Sequence, residues 1–251
     1  MCGILLSFHE NGETCTDTLL EAEFDMAKES LKPRGPDSSC TIIDSFWRFD
    51  FHRLIINGLS VNCSQQPFQS DSDWIICCNG EIYNHRQLGL INDDSDCSIL
   101  RGLFDDLQAL SSDSSPVLFP AEKIDGVFAI AALHVPTKVV LCARDAFGVR
   151  PLFTGIRPDG VRMVASEQKA LRACQFIRPI APGTVEVFQN GDSRVRRFAT
   201  SFGFRLQNRF IRKSTLATIP SVEEALLAAV HKRVTTFSRG ELGCFLSGGL
   251  D

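Results

Sequence analysis

Short β-branched and aromatic runs, each broken by a turn signal, fill most of the chain between residues 41 and 198, and this punctuation limits it to layered sheets. Residues 41–56, 73–78, 126–135, 138–143 and 161–165 read as strands, and 184–188 with 194–198 predict a closing hairpin across Asn190-Gly191. A second such pair, Asn79-Gly80, predicts a tight turn between the run 74–78 and a brief strand 81–83. The opening stretch Cys2-Gly3-Ile4-Leu5-Leu6-Ser7-Phe8 reads as a short buried strand. Helical spacing covers 17–31, with Asp17 as N-cap, and 95–110. Strands in that number, with helices interspersed, predict an α+β architecture of two sheets with helices outside.

Three segments follow from the same pattern. Residues 1–199 form the principal domain, and 200–220 lose periodicity, collect Arg, Ser and Thr, and read as a linker. Ser221-Val222-Glu223-Glu224 then matches a capping box opening a helix to about Val234, and a strand over 241–246 runs into Ser247-Gly248-Gly249-Leu250-Asp251. That junction of strand and glycine turn is expected at the start of a further domain, over 221–251.

Composition removes several classes of function. Lys+Arg 26 against Asp+Glu 30 gives a net charge of -4, so no basic surplus points to nucleic acid or an acidic membrane. The longest strongly apolar stretch, 127–133, is far short of the roughly 20 residues a membrane-spanning helix needs. Ser7 and His9 interrupt the N-terminus before a secretory signal has formed, so a cytoplasmic protein is expected. The ten cysteines show no C-x-x-C spacing, which fits free thiols in a reducing compartment, and the histidines form no metal-ligand pair, so no metal site is expected.

The chemistry begins at Cys2. Removal of Met1 leaves one residue carrying both a thiol and an α-amine, whose reference pKa of about 7.7–8.0 makes it a base at neutral pH. The competing reading is a small buried residue in a terminal strand. Asn79 and Gly80 offer a side-chain amide and a backbone N–H to a tetrahedral oxyanion, against the plainer reading of a hairpin turn. Arg53, Glu81 and Asp96 can supply the fork and carboxylates that an α-amino acid requires.

Met1-Cys2-Gly3-Ile4, Arg34-Gly35-Pro36-Asp37, His52-Arg53-Leu54, Gln66-Pro67 and Asn79-Gly80-Glu81-Ile82-Tyr83-Asn84 occur in that order. They are followed by Asp125-Gly126-Val127-Phe128-Ala129, Ala143-Arg144-Asp145, Phe147-Gly148-Val149-Arg150-Pro151-Leu152 and Ala165-Ser166-Glu167. This series resembles the class II glutamine amidotransferases, and specifically the amidotransferase half of the asparagine synthetase family. The resemblance implies a four-layer αββα N-terminal-nucleophile hydrolase sandwich followed by the start of an α/β adenylating domain. It implies that Cys2 is the nucleophile hydrolysing glutamine to glutamate and ammonia, with Asn79 and Gly80 as the oxyanion hole. Arg53 would hold the glutamine α-carboxylate, Glu81 and Asp96 would lie near its α-amine, and Leu54, Ile56 and Asn57 would line the pocket. Arg34 reads as structural support.

Ser247, Gly248, Gly249 and Asp251 resemble the pyrophosphate-binding loop of ATP-dependent adenylating enzymes. The implied partners are then ATP and aspartate through the remainder of such a domain, with ATP and Mg as cofactors of a complete synthetase and none for glutamine hydrolysis itself. A homodimer is one assembly open to it. Ser98, where the family usually carries glutamate, and the short segment 84–96 resemble the divergent asparagine synthetase domain-containing proteins. A catalytically silent regulatory module, or an enzyme amidating another acceptor, are the alternatives.

Overall fold

The alternation of the opening run sends Ile4, Leu6 and Phe8 to one face of strand β1 (Gly3–His9) and Leu5 to the other, so this strand must be covered on both sides. A computed structural model describes residues 1–9, 18–58, 65–90, 95–107, 119–199, 222–236 and 242–244. β1 lies inside a six-stranded sheet, antiparallel to β3 (Trp47–Arg53) on one side and β9 (Val161–Ala165) on the other. β2 (Ser38–Ile43) extends the sheet beyond β3, and β8 (Phe153–Ile156) and β10 (Gln175–Pro179) extend it beyond β9. A second six-stranded sheet carries β4 (Phe68–Gln69), β5 (Trp74–Ile82), β6 (Gly126–His134), β7 (Val139–Arg144), β11 (Thr184–Gln189) and β12 (Asp192–Arg197), in that spatial order.

Apolar side chains fill three interfaces. Ile4, Leu6, Phe49 and Phe51 of the first sheet meet Ile75, Cys77, Ala129 and Ala131 of the second. On the outer face of the first sheet, helix α1 (Thr18–Leu31) buries Phe24, Ala27 and Leu31 against Leu5, Met163 and Ala165. On the outer face of the second, a 3₁₀ turn (Asp96–Ile99) and helix α2 (Leu100–Asp105) pack with Phe119 over Ile76, Cys78, Phe128 and Ile130. The order helix, sheet, sheet, helix is the expected four-layer αββα sandwich. Cys77 and Cys78 occupy opposite faces of β5 and belong to different cores.

Several expectations need correction. No turn forms at Asn79-Gly80, because β5 runs unbroken to Ile82, with Asn79 opposite Ala129 and Gly80 opposite Phe128. The glycine serves close approach instead: a Cβ there would lie 2.3 Å from the Val127 carbonyl oxygen. The other Asn-Gly pair does turn, with Asn190 and Gly191 at φ 52 and 80 linking β11 to β12. The expected strand 41–56 is two strands, the second ending at Arg53, and the helix expected over 95–110 is the 3₁₀ turn followed by short α2. Asp17, the linker 200–220 and the loop residues Ser247, Gly248, Gly249 and Asp251 lie outside the described residues. Of the strand expected over 241–246, the described residues 242–244 carry no regular structure. The helix after the linker is present as α3 (Val222–Thr236), which meets the sandwich through Lys232 on Asp125 and Arg233 over the Tyr83 ring at 4.8 Å. No helix among the described residues is long and apolar enough to cross a membrane.

One loop is organised by two adjacent charged residues. The buried Asp145 carboxylate accepts backbone N–H bonds from Phe128, Phe147, Val149 and Arg150 at 3.0–3.2 Å. Arg144 serves the acceptors, donating to the carbonyls of Gly148, Arg150 and Ile180 at 2.6–2.8 Å. Together they bind three N–H groups and two carbonyls of residues 147–150 and fix where Arg150 leaves the loop. Asp145→Ala is therefore expected to cost about 2–4 kcal/mol in urea denaturation, since it orphans N–H groups rather than removing a surface contact. A loss well under about 1 kcal/mol would show that water replaces the carboxylate.

Candidate active site

β1 and β5 belong to different sheets, and their meeting point is Cys2. Its backbone nitrogen donates to Asn79 Oδ1 at 3.0 Å, joining the start of the first strand to the middle of the second sheet. Arg34 holds the other side of the same residue: its Nε donates to the Cys2 carbonyl at 2.8 Å while NH1 pairs with Glu167 at 2.6 Å. This is the supporting role expected of Arg34. The turn carrying it packs so tightly on β3 that a Cβ on Gly35 would lie 2.2 Å from the His52 carbonyl. Asp37, in the same turn, donates its N–H to the Arg53 carbonyl and accepts from Ile55 N–H at 2.7 Å. The Arg-Gly-Pro-Asp segment thus fixes both Cys2 and the chain that follows Arg53.

That following chain forms one wall of a small cleft shared with Cys2, Asn79 and Asp96. Leu54 N–H points to Cys2 Sγ at 3.4 Å, and the thiol lies 3.5 Å from the Leu54 carbonyl. Ile56 and Asn57 line the same wall. Arg53 is buried, its NH2 donating to the Gly58 and Asn57 carbonyls at 2.7 and 3.2 Å, so the guanidinium is held in place by its own loop. Opposite, Asp96 Oδ2 accepts Ile82 N–H at 2.6 Å, and Asn57 Nδ2 reaches Oδ1 at 3.4 Å.

The structure therefore brings Cys2, Arg53, Leu54, Ile56, Asn57, Asn79, Gly80 and Asp96 to one cleft. Glu81 stands apart from the lining. Its Oε1 pairs at 2.9 Å with NH2 of Arg150, and Arg150 is the residue that faces the cleft. Met1, Gln66, Cys78, Ser95, Cys97 and Arg150 also line it without having been singled out for the site. Gln66 and Arg150 were visible only inside longer motifs. Each is held by one specific partner: Gln66 Oε1 accepts Cys78 N–H at 2.6 Å, and Arg150 is aimed by the Asp145 carboxylate.

The electrostatics suit a nucleophile with its own base. Burial pushes the Cys2 thiol up, and the Leu54 backbone and the nearby amine partly oppose this. Desolvation lowers the amine of Met1, the residue before Cys2, from 8.0. Burial also raises the Asp96 carboxyl, against the hydrogen bonds from Ile82 and Asn57. Among the described residues Asn79 Nδ2 is a buried donor with no hydrogen-bond partner, on the side chain whose Oδ1 holds Cys2. An orphaned donor of that kind costs about 1–3 kcal/mol and calls for a function.

Known proteins resemble this chain in sequence and in fold. The chain is 29% identical, over its full length, to a probable glutamine-hydrolyzing asparagine synthetase from Dictyostelium discoideum, covering 44% of that protein. It is 30% identical to glutamine-hydrolyzing asparagine synthetase 1 from Saccharomyces cerevisiae and to the Cricetulus griseus enzyme, covering 42% and 47% of them. The chain thus spans less than half the length of these relatives. Its fold resembles that of glutamine phosphoribosylpyrophosphate amidotransferase from B. subtilis, at TM-score 0.58 and 19% identity over 79% of this chain and 49% of that one. A structure of the allosteric regulatory enzyme of purine biosynthesis is similar at TM-score 0.59 with the same identity and coverage. With the family model for the glutamine amidotransferase domain matching residues 1–190, across both sheets and every residue of the cleft, the chain belongs to that family.

Proposed function

We propose that this chain hydrolyses glutamine to glutamate and ammonia, using Cys2 as nucleophile after removal of Met1. The observation that carries this reading is the Asn79 amide, which holds the Cys2 nitrogen with its oxygen and leaves its buried NH2 without a partner. When Met1 is removed, the nitrogen already bonded to Asn79 becomes the free α-amine. The thiol proton passes to that amine as Sγ attacks the side-chain carbonyl of glutamine. Negative charge then develops on the carbonyl oxygen, where Asn79 Nδ2 and the Gly80 N–H supply donors. The tetrahedral intermediate collapses to a γ-glutamyl thioester as the protonated amine returns its proton to the departing ammonia. Water, deprotonated by the same amine, releases glutamate and restores the thiol.

Substrate orientation follows from charge. Arg53 is already fixed by two carbonyls and can take the α-carboxylate without reordering, while Asp96 faces the α-ammonium. Glu81 acts from the rim through Arg150. The names of the relatives and the Ser247-Gly248-Gly249 sequence support a finer proposal: ammonia serves ATP- and Mg-dependent conversion of aspartate to asparagine in a complete cytoplasmic enzyme. In that proposal residues 221–251 begin the adenylating domain, 200–220 link it to residues 1–199, and the acceptor is chosen outside this chain. A homodimer remains part of the same proposal. Every hydrolytic step above uses only this chain's residues and water.

The primary test is ammonia release from glutamine by processed protein, with Met1 removal confirmed by mass spectrometry. Release is expected from the wild type and should vanish in Cys2→Ala; no release from a folded, processed wild type favours the silent module. The pH profile gives a second test, because the Cys2 α-amine must be neutral to take the thiol proton, and the reference pKa of such an amine is about 7.7–8.0. The rise of kcat/KM with pH should have its midpoint within about one unit of that range, and a midpoint well above it contradicts the amine as base.

Asp96 gives a third, on stability. Its carboxyl is raised above 3.8 in the folded protein, so the folded state holds the proton more tightly, and stability falls as pH rises through the folded pKa. At neutral pH the buried carboxylate is a net cost. Asp96→Asn is expected to raise Tm at pH 7 and to raise KM for glutamine, and a lowered Tm would mean the charge is stabilised by more than its two donors.

A further inference from the structure

Two thiols beside the catalytic machinery have no part in the hydrolysis. Cys97 donates its S–H to Cys78 at an Sγ–Sγ distance of 3.4 Å, and both residues line the cleft. They come from different elements: Cys78 precedes Asn79 on β5, and Cys97 follows Asp96 in the 3₁₀ turn. Each is buried against protein, yet the cleft that would admit glutamine also reaches them. The backbone around the pair is itself part of the site, since Cys97 Sγ also lies 3.6 Å from the Gly80 carbonyl and Cys78 N–H is held by Gln66.

We propose that Cys78 and Cys97 form a reversible dithiol–disulfide site in the wall of the cleft, oxidised by small peroxides and controlling whether glutamine binds. The inference rests on the glutamine-binding reading above for its consequence, though not for its chemistry. Cys78, which accepts the hydrogen bond, takes one oxygen from hydrogen peroxide, giving a sulfenic acid and one water. Cys97 Sγ then attacks the Cys78 sulfur, and the displaced hydroxide leaves as a second water with the Cys97 proton. Two thiols and one peroxide thus become one disulfide and two waters, the two electrons passing to the peroxide oxygens. The hydrogen bond to Cys78, together with burial, pushes the Cys97 thiol well above the ordinary range, which suits it to the resolving rather than the initiating role.

Closure has a mechanical consequence. A disulfide needs its sulfurs about 2.05 Å apart, so closure brings the two sulfurs together by more than about 1 Å, a movement shared between side-chain rotation and shifts of β5 and the 3₁₀ turn. Asp96 and Asn79 are the immediate neighbours of the two cysteines, and a displacement of about 1 Å in positioning groups can cost on the order of a hundredfold. The oxidised cleft is expected to bind glutamine about tenfold more weakly or worse.

The experiment uses the full chain as Cys2→Ala, which removes the nucleophile's own oxidation from the result. Reduced protein is treated with hydrogen peroxide, free thiols are alkylated, and peptides are mapped without reduction; glutamine affinity is measured by calorimetry before, after, and again following dithiothreitol. The expected result is a Cys78–Cys97 cross-linked peptide, affinity lowered at least about tenfold, and recovery on reduction. Cys97→Ser in the same background, compared with its own untreated form, should lose the response to peroxide. Absence of the cross-link while other thiols oxidise overturns the proposal, as does a cross-link that leaves affinity unchanged or a response that persists in Cys97→Ser. Reduced protein that binds no glutamine counts against the glutaminase reading instead, and the peptide map still decides the dithiol chemistry.

Discussion

The hydrogen bond from the Cys2 nitrogen to Asn79 Oδ1 crosses the space between the two sheets and sets the geometry on which the cleft depends. It can form only if β1 lies in one register. Ile4, Leu6 and Phe8 must enter the core between the sheets while Leu5 meets α1, and a slip by one residue would reverse every one of them. The apolar alternation of a short strand therefore does the work of placing a polar group. Ser166 reinforces the setting by donating its N–H to the Ile4 carbonyl and receiving Ile4 N–H on its hydroxyl.

The polar groups around the cleft are divided between neighbours rather than shared at random. Asp145 takes the N–H groups of its loop and Arg144 takes the carbonyls, so a stretch with Phe147 and Val149 exposed still has a defined path. Arg53 is anchored in the same fashion by the carbonyls of residues 57 and 58. In each case a charged side chain is fixed by backbone before any ligand arrives, which lowers the ordering cost of binding. The unpartnered Asn79 Nδ2 and the buried Asp96 are the complementary case, groups held at a cost in the free protein.

Much of the layered fold was legible because buried strands carry their pattern locally: residues 161–165 were predicted and observed as β9 with the same limits. The two Asn-Gly pairs mark where that legibility stops. Asn190-Gly191 turns because nothing else claims it, whereas Asn79-Gly80 stays extended because β6 pairs with it throughout and its glycine faces a neighbouring carbonyl. Local turn preference lost there to tertiary pairing. β10 had no readable signal, since all five of its residues are exposed and its register shifts between Gln175 and Arg178. Within the cleft, Cys2, Arg53, Asn79 and Asp96 could be named from residue type and order, but Gln66 and Arg150 owe their positions to particular hydrogen bonds, with the Cys78 N–H and the Asp145 carboxylate, that residue type does not announce.

The place of β1 within its sheet also dictates an order of events during synthesis. Its partners are β3 and β9, and Leu5 pairs with Ala165, so β1 waits during synthesis for a strand made much later. Contacts of such long sequence separation close slowly and late in folding. Arg150 reaches the cleft from that same late stretch. A nascent chain thus carries the cysteine from the outset but has no cleft around it, and the site is assembled only when most of the sandwich has been translated.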